Sequence, residues 1–426
     1  MNISYHYFAI KTLARKAGFD EIYAQQIATF SQYIDDYNAY AYRRYSNIPE
    51  WAKLAPYDMY ISSLLNPFNF NPVTTGFWDW IDLITLITPR SQKFTVSPFH
   101  FIPRDHSSMK ENDNRTVPAT LNDGSIISDQ LTIAKNKFIN AISDKEKMNA
   151  LMQIGSRLHT FADTYAHQLF SGFNEKCNNA VLVQVINNMT GADETERYRS
   201  RILVFLEKLQ EILKGHQPAI GHMMIEHVPD YPWISFTMNF PLPDGGTGTH
   251  TRSNTSEFVR VSKEIMDYLR SCLSLPPISG EEWHQFTDKL VQGFFFDETG
   301  FSDEGNLIRA LVNHWSNVFE EEGYTYSYDR HALFDGIIGG YTSASSSNDA
   351  MVVTGDVNDI FPSMSDAFYL YNAYADDLLI ELYGSQPRSS WFNLALENES
   401  GADSLTLETE LSRDENPNIT NGEPLL

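Results

Sequence analysis

Three side chains of types that bind metal ions recur every four residues in GSRLHTFADTYAHQLFSGFN, residues 155–174. On a helix, His159, Asp163 and His167 would stand at i, i+4 and i+8, within about 80° of one another on one face. They would form a column of roughly 12 Å, too long for one ion but suited to two ions bridged by Asp163. The alternative is a solvated polar stripe with one buried histidine. We predict a metal centre, because desolvated polar groups in a line need a common partner.

Further side chains of the same types are scattered along the chain. They are His6, Asp35, Asp36, His100, His222, Glu226 and Asp230. Glu226 would join His222 if the segment AIGHMMIEHVPDYPW is helical. Asp230 would serve instead if the segment is extended, because Pro229 disfavours a helix there. Imidazoles and carboxylates together form a ligand set that suits Zn²⁺.

The charge and the cysteine content limit the partners and the ligands. The chain has 426 residues and a formal net charge of −24 at pH 7, which would repel the phosphate backbone of a nucleic acid. A zwitterionic lipid surface would not be repelled. The only cysteines are Cys177 and Cys272, and they form no C-x-x-C motif, so any metal site must use His and carboxylates.

The sequence pattern predicts neither a cleaved N-terminal signal nor a membrane-spanning segment. No apolar run approaches the roughly 20 residues that cross a bilayer, and the N-terminus lacks a basic region followed by an apolar core. We therefore expect either export by a route without a cleaved N-terminal signal or a cytoplasmic protein.

The hydrophobic pattern predicts a mainly α-helical fold with irregular insertions and a small β element in the C-terminal part. The predicted helices lie at 5–17, 20–34, 128–142, 145–170, 199–214, 255–273, 281–293, 304–320 and 364–384. Residues 45–103 are irregular and aromatic-rich, 104–127 read as a surface loop, Asp244–Gly248 as another loop, and Val352–Thr354 as a possible strand. Residues 391–426 hold eight acids against Arg413, a net charge of −7, and are expected to be disordered.

The order of these motifs resembles that of the bacterial zinc-dependent phospholipases C, which hydrolyse phosphatidylcholine, and of the related single-strand-specific zinc nucleases. The resemblance covers roughly residues 5–270, and the motifs that carry it are, in order, His6, Asp35 or Asp36, His100 in FHFIPRD, His159 with Asp163 and His167, and His222 with Glu226 or Asp230. The phrase FHFIP followed by LHTFADTYAHQLFSG is also similar to a poorly characterised group of bacterial proteins related to these enzymes. The sequence looks closest to secreted enzymes of Gram-negative bacteria, including those that intracellular pathogens inject into host cells.

The resemblance implies a compact catalytic domain over 1–270. Beyond it, the sequence pattern alone predicts a helical region over 271–390, packed on that domain or forming a second subdomain, and the acidic tail over 391–426. The resemblance also implies two or three zinc ions. One would be held by Asp35 or Asp36, His100, His159 and a bridging Asp163; a second by His167, His222 and Glu226 or Asp230; and a third by His6 with Asp163. The secreted Gram-positive enzymes also use their mature N-terminal amine as a ligand, whereas here five residues precede His6.

The implied reaction is hydrolysis of a glycerophospholipid to diacylglycerol and a phosphorylated headgroup, by water whose pKa zinc lowers towards roughly 7. Asp35 or Asp36 could act as general base, and Tyr37 and Tyr40 could face a choline headgroup. The aromatic side chains expected to dip into a membrane surface are Trp51, Phe77, Trp78 and Trp80.

Two other functions stay open at this stage. One is a zinc nuclease or small-molecule phosphodiesterase of the same superfamily, and the other is a metal-stabilised binding protein without catalysis. The acidic tail ending in Glu423-Pro424-Leu425-Leu426 resembles type IV secretion signals, which predicts a secretion machinery as partner and translocation into a host cell.

Overall fold

The protein is mainly α-helical with one small antiparallel sheet, as the sequence pattern predicts. The computed structural model describes residues 1–37, 73, 75–76, 89–111, 113–213, 215, 218–242, 245–301, 303–328 and 366–384. The chain forms two compact units, one of Met1–Gln32 with His100–Tyr328 and the other of Tyr33–Phe99 with Asp329–Leu426. The predicted domain boundary at residue 270 therefore falls inside the first unit.

The helices follow one another in this order: α1 (Ile10–Ala17), α2 (Glu21–Asp36), α3 (Pro89–Ser91), α4 (Ser97–His100), α5 (His106–Lys110), α6 (Ile126–Asn140), α7 (Asp144–Ala166), α8 (Thr195–Ile212), α9 (Asn254–Cys272), α10 (Gly280–Phe294), α11 (Glu304–Val318) and α12 (Asp366–Tyr383). A π-helical turn, Ser4–Ala9, runs directly into α1, and another, Gln92–Val96, lies between α3 and α4. Each helix predicted from the pattern is present, with small differences at the ends.

Helix α7 is the central element of the first unit. A capping box of Ser143 and Glu146 opens it, satisfying two backbone donors at its first turn. Every residue from Ala150 to Ala166 is buried, so this part of the helix is surrounded by other elements on all sides. It packs against α6 and α9. Any polar side chain in its second half is therefore desolvated.

Helix α2 approaches α7 so closely that only glycine fits at the contact. A Cβ added to Gly155 of α7 would lie 2.3 Å from the carbonyl oxygen of Ile27. One turn further along each helix, Nδ1 of His159 lies 2.8 Å from the carbonyl oxygen of Ser31. The close approach of the two helices at Gly155 thus brings the His159 ring within hydrogen-bond distance of α2.

Helix α7 ends earlier than the predicted 145–170. His167 leaves the helical conformation at φ −97° and ψ 13°. Leu169 then takes a left-handed φ of 77°, which stops the helix from continuing. His167 is therefore the residue that closes α7, not a residue inside it.

The sheet comprises β1 (Val181–Asn187), β2 (Ile234–Pro241) and β3 (Thr247–Ser253) in the order β1-β2-β3, all antiparallel. Ile234, Phe236 and Met238 alternate inward along β2 and are buried. This sheet lies earlier in the chain than the predicted β element, and the predicted loop Asp244–Gly248 gives way to β3 at Thr247. The predicted strand Val352–Thr354 lies outside the described residues, as does the tail 391–426.

In the second unit, tyrosines at the end of α2 pack against α12. The Tyr33 and Tyr37 rings lie 4.8 and 4.9 Å from the Tyr371 ring, and Asn372 Nδ2 donates to the Tyr37 hydroxyl at 3.1 Å. Tyr37 is 1% exposed, so it is a core residue here and not the surface contact for a headgroup that was predicted.

The other aromatic residues predicted to meet a headgroup or a membrane are Tyr40, Trp51, Phe77, Trp78 and Trp80, and they lie outside the described residues. Among the helices that the structure does describe, none has the length and apolar character needed to cross a bilayer.

Candidate metal centre

The Asp163 carboxylate, 1% exposed, lies among three imidazoles in the interior of the first unit. Its Oδ1 is 3.1 Å from Nε2 of His6. Its Oδ2 is 3.2 Å from Nε2 of His159 and 3.4 Å from Nδ1 of His100. His6 and His159 stack with their ring centroids 3.7 Å apart. Residues from the N-terminal turn, α4 and α7 thus meet at one carboxylate.

A second carboxylate gathers another pair of imidazoles. Asp230 is the last residue of the short turn Val228–Asp230, and its Oδ1 is 3.1 Å from Nε2 of His167. Its Oδ2 is 3.3 Å from Nε2 of His222. His167 links the two groups, because its Nδ1 also lies 3.7 Å from Oδ2 of Asp163.

The distances within each group suit a shared cation. His6, His159 and Asp163 each offer a ligand-type atom within 4.8 Å of the others, and so do His167, His222 and Asp230. Nitrogen and oxygen donors without sulfur are a ligand set typical of zinc in hydrolases.

Backbone carbonyls fix the orientation of three of the imidazoles. Nδ1 of His159 donates to the carbonyl oxygen of Ser31 at 2.8 Å, and Nδ1 of His167 donates to that of His100 at 2.5 Å. Nδ1 of His222 donates to the carbonyl oxygen of Glu226 at 2.6 Å. A carbonyl oxygen can only accept, so Nδ1 of each of these rings carries a proton and Nε2 is the nitrogen that faces the carboxylates. This is the arrangement by which proteins orient metal-bound histidines.

The protonation states of the histidines and carboxylates place the lone pair of a ring nitrogen opposite a carboxylate oxygen. Burial, followed by the charge of His159, lowers the pKa of His6 to about 3, and burial lowers that of His222 to about 3. Burial alone would raise the pKa of Asp163, but His167, the α-amino group and His159 hold it well below its usual value. At neutral pH the Nε2 lone pair of His222 therefore points at an ionised Asp230. Such contacts are repulsive unless a cation lies between them.

Two buried polar atoms of the Asp163 group have no hydrogen-bond partner. They are Oδ2 of Asp163 and Nδ1 of His6. A buried polar group without a partner is costly and rare in folded proteins. At Asp163, a bound cation would satisfy the orphaned oxygen, so the residues present fit a metal ion.

The structure separates the two acids that the sequence left open near His222. Asp230 faces His167 and His222, whereas the Glu226 carboxylate pairs with Arg201, with Nη2–Oε1 at 3.0 Å and Nε–Oε2 at 3.3 Å. The segment is neither a regular helix nor extended, the two cases considered from the sequence. It forms two short 3₁₀ turns, Met223–Ile225 and Val228–Asp230.

Asp35 and Asp36 stand in the last turn of α2 and belong to the second unit. Asp36 is 1% exposed, and Asp35 is half-buried. An added Cβ at Gly76 would lie 1.8 Å from the carbonyl oxygen of Asp35, so Gly76 backs the end of this helix. The choice between the two acids as ligand or general base stays a prediction.

Two groups outside the predicted ligand set also reach the centre. The α-amino group of Met1 lies 2.5 Å from Oδ1 of Asp163 and 3.2 Å from Oδ1 of Asp230. Nδ1 of His227 lies 3.1 Å from Oδ2 of Asp230, and the His227 side chain is 65% exposed. The feature of the sequence that could have identified His227 is its spacing, three residues before Asp230 in the same segment. His227 is therefore the imidazole of this centre that faces solvent most openly among those described.

Comparison with known proteins gives a family without an assigned activity. A family model described as "Family of unknown function (DUF6765)" matches residues 1–379. No curated protein and no solved structure matches the chain.

Proposed function

We propose that this protein, which belongs to the DUF6765 family, is a zinc-dependent phosphodiesterase whose substrate is a glycerophospholipid, phosphatidylcholine foremost. One observation carries the metal part of the proposal. The buried Asp163 carboxylate lies between the Nε2 atoms of His6 and His159, with Oδ2 receiving no hydrogen bond. A carboxylate in that position is built to bridge cations.

Two groups of donor atoms would hold the proposed ions. His6, His159 and Asp163 would hold one ion, with His100 beside them, and His167, His222 and Asp230 would hold another. The α-amino group of Met1 also lies against both carboxylates, 2.5 Å from Oδ1 of Asp163 and 3.2 Å from Oδ1 of Asp230. Two or three zinc ions are therefore proposed.

Bound zinc supplies a water of lowered pKa and positive charge for the phosphoryl oxygens. The chain's own residues supply the rest. The carbonyls of Ser31, His100 and Glu226 hold the imidazoles in the tautomer that presents Nε2. The lowered pKa values of His6 and His222 keep these rings unprotonated at neutral pH, so no proton competes with a cation. Asp35 or Asp36 remains the proposed general base.

The substrate class rests on the resemblance and on charge. The ordered His and Asp motifs resemble those of enzymes that hydrolyse phosphatidylcholine. The net charge of −24 disfavours a polynucleotide but not a zwitterionic lipid surface. Export or translocation, with the tail 391–426 as its signal, remains a proposal that goes with this function.

The test combines metal analysis with three substrates. The purified full chain is assayed for bound metal by mass spectrometry and for hydrolysis of a short-chain phosphatidylcholine, a single-stranded oligonucleotide and an aryl phosphodiester. We expect at least two zinc equivalents and release of phosphocholine from the lipid. Cleavage of the oligonucleotide instead would identify a nuclease, and a metal-loaded protein that cleaves none of the three would be a binding protein.

A matched pair of variants assigns the activity to the centre. His159→Ala removes a buried ring that faces Asp163, whereas His284→Ala removes an exposed one on α10. We expect His159→Ala to lose metal and hydrolysis together and His284→Ala to keep both. Equal activity in the two variants would end the proposal.

A further inference from the structure

Glu226 has a backbone conformation that side chains rarely adopt. Its φ is 54° and its ψ −145°, a region that favours glycine. In that conformation its carbonyl oxygen accepts the Nδ1 proton of His222 at 2.6 Å. The same ring presents Nε2 to Oδ2 of Asp230 at 3.3 Å. The unusual backbone therefore decides which nitrogen of His222 faces the metal centre.

The Glu226 side chain is anchored away from that centre. Its carboxylate, 13% exposed, forms a two-point ion pair with Arg201 of α8, at 3.0 and 3.3 Å. Arg201 is itself held, because Nη2 donates to the Tyr231 hydroxyl at 3.1 Å and Nη1 to the Thr299 carbonyl at 3.4 Å. A planar guanidinium with partners on several sides fixes a carboxylate in direction as well as in distance.

We propose that Arg201 and Glu226 are positioning residues for the metal-binding ring of His222. The inference rests on the proposed function, since it assumes that His222 and Asp230 hold a cation. The ion pair holds Glu226 in its unfavourable backbone conformation, and the Glu226 carbonyl in turn fixes the tautomer and plane of His222. The anchor also keeps the Glu226 carboxylate out of the position that Asp230 fills.

Three variants distinguish the effect of the Arg201–Glu226 ion pair from the effect of the backbone conformation of Glu226. Arg201→Met and Glu226→Ala both remove the ion pair, and alanine keeps a Cβ in the unfavourable conformation. Glu226→Gly also removes the pair, but glycine adopts a positive φ without that penalty. Glu321→Gln is the charge-matched control, because Glu321 forms an exposed ion pair with Lys289 at 2.8 Å. Arg201→Lys serves if Arg201→Met does not fold, as judged by its circular dichroism and unfolding midpoint.

The first measurement is the affinity of the full chain for Co²⁺ by chelator competition, with the visible absorption of the bound ion. We expect Arg201→Met and Glu226→Ala to weaken the affinity of one ion by about 10–100-fold, the usual effect of losing a group that orients a ligand. Their cobalt spectra should change, because the coordination geometry changes. Glu226→Gly should bind more tightly than Glu226→Ala, and Glu321→Gln should match the wild type.

The second measurement needs no metal. Long-range ¹H–¹⁵N correlation spectra report which nitrogen of His222 is protonated in the metal-free protein. We expect the Nδ1–H form in the wild type and a mixture in Arg201→Met and Glu226→Ala. If the wild type binds cobalt while these variants keep its affinity, spectrum and tautomer, the positioning role is wrong and the proposed function stands. A wild type that binds no cobalt ends both.

Discussion

Nε2 of His6 lies 3.1 Å from Oδ1 of Asp163, although 157 positions separate the two residues in the chain. The turn Ser4–Ala9 that carries His6 is entirely buried, as is the second half of α7 that carries Asp163. The centre is therefore complete only when the N-terminal turn is packed against α7, and its predicted properties depend on that packing.

Replacing Asp163 by Asn should remove metal from the protein. The amide keeps the shape but loses the negative charge that faces His6 and His159. We expect the loss of at least one metal equivalent and an affinity loss beyond the roughly 10–100-fold that follows from losing a merely orienting group. Elemental analysis after dialysis measures it. Asp129→Asn, at an exposed acid of α6, is the control, and equal metal content in both variants would contradict the role of Asp163.

Replacing Gly155 by Ala should separate α7 from α2. The new methyl group would lie 2.3 Å from the Ile27 carbonyl oxygen, so one helix must move and the His159–Ser31 hydrogen bond must lengthen. We expect a loss of about 1–3 kcal/mol in the free energy of unfolding, as for other overpacked cores, together with weaker metal binding. Urea unfolding gives the first quantity and chelator competition the second.

Gly280→Ala is the matched control, because an added Cβ there meets no atom within 4 Å. It should leave stability unchanged or raise it by up to about 1 kcal/mol, since alanine favours a helix. A Gly155→Ala protein as stable as the Gly280→Ala protein would show that α2 and α7 leave room for a methyl group at this contact.

The sequence predicts the helices and the types of candidate ligand side chains, but not which side chains from distant segments contact one another. The four-residue spacing of His159 and Asp163 was readable because the helix period alone determines a shared face. The finding that Asp230 faces His222 while Glu226 does not could not be predicted, because the Glu226 carboxylate pairs with Arg201, 25 positions earlier in the chain. Pairings between distant segments leave no periodic signal in one sequence.

The position of the sheet is a different case, because a small β element was predicted but at a later place in the chain. The alternation of Ile234, Phe236 and Met238 carries the period of a half-buried strand and was present in the sequence. The end of α7 was not as readable, since Gln168 and Phe170 continue an acceptable helical pattern. The end of the helix is visible only in the backbone conformation, at His167 and then in the left-handed conformation of Leu169.

Acid should destabilise the metal-free protein. The pKa values of His6 and His222 are lowered from 6.5 to about 3 in the folded state, so the unfolded state binds more protons between these limits. The free energy of unfolding therefore rises with pH between these values. The stability that the two neutral rings contribute decreases as the pH falls from 6.5 towards 3. Each ring contributes about 1.4 kcal/mol per pH unit. The lowered pKa values of Asp163 and Asp230 add loss in the same direction at lower pH.

The measurement is urea unfolding of the metal-free protein at a series of pH values. His6→Phe keeps a buried ring but cannot take up a proton, so its slope against pH should be shallower than that of the wild type. His284→Phe, at an exposed position, should keep the wild-type slope. The same slope in all three proteins would be inconsistent with a neutral, buried His6.

An extra residue before Met1 should weaken metal binding. The α-amino group contacts Asp163 at 2.5 Å and Asp230 at 3.2 Å, and a peptide bond at that nitrogen removes both its charge and its capacity to coordinate. Two proteins cut from a removable N-terminal tag, one starting at Met1 and one with a preceding glycine, provide the comparison. We expect lower zinc affinity in the extended protein by isothermal calorimetry, and equal affinities would exclude the amine as a ligand.

The long separation between His6 and Asp163 has a topological consequence. A cation shared by them would close a loop of 157 positions, and one shared by His167 and Asp230 a further loop of 63. Such tethers restrict an unfolded chain much as a covalent cross-link does, whereas Cys177 and Cys272 are free thiols. The resistance of the first unit to proteolysis would then depend on its bound ions. Removing the ions with a chelator would make the unit sensitive to protease without any change in its amino-acid sequence.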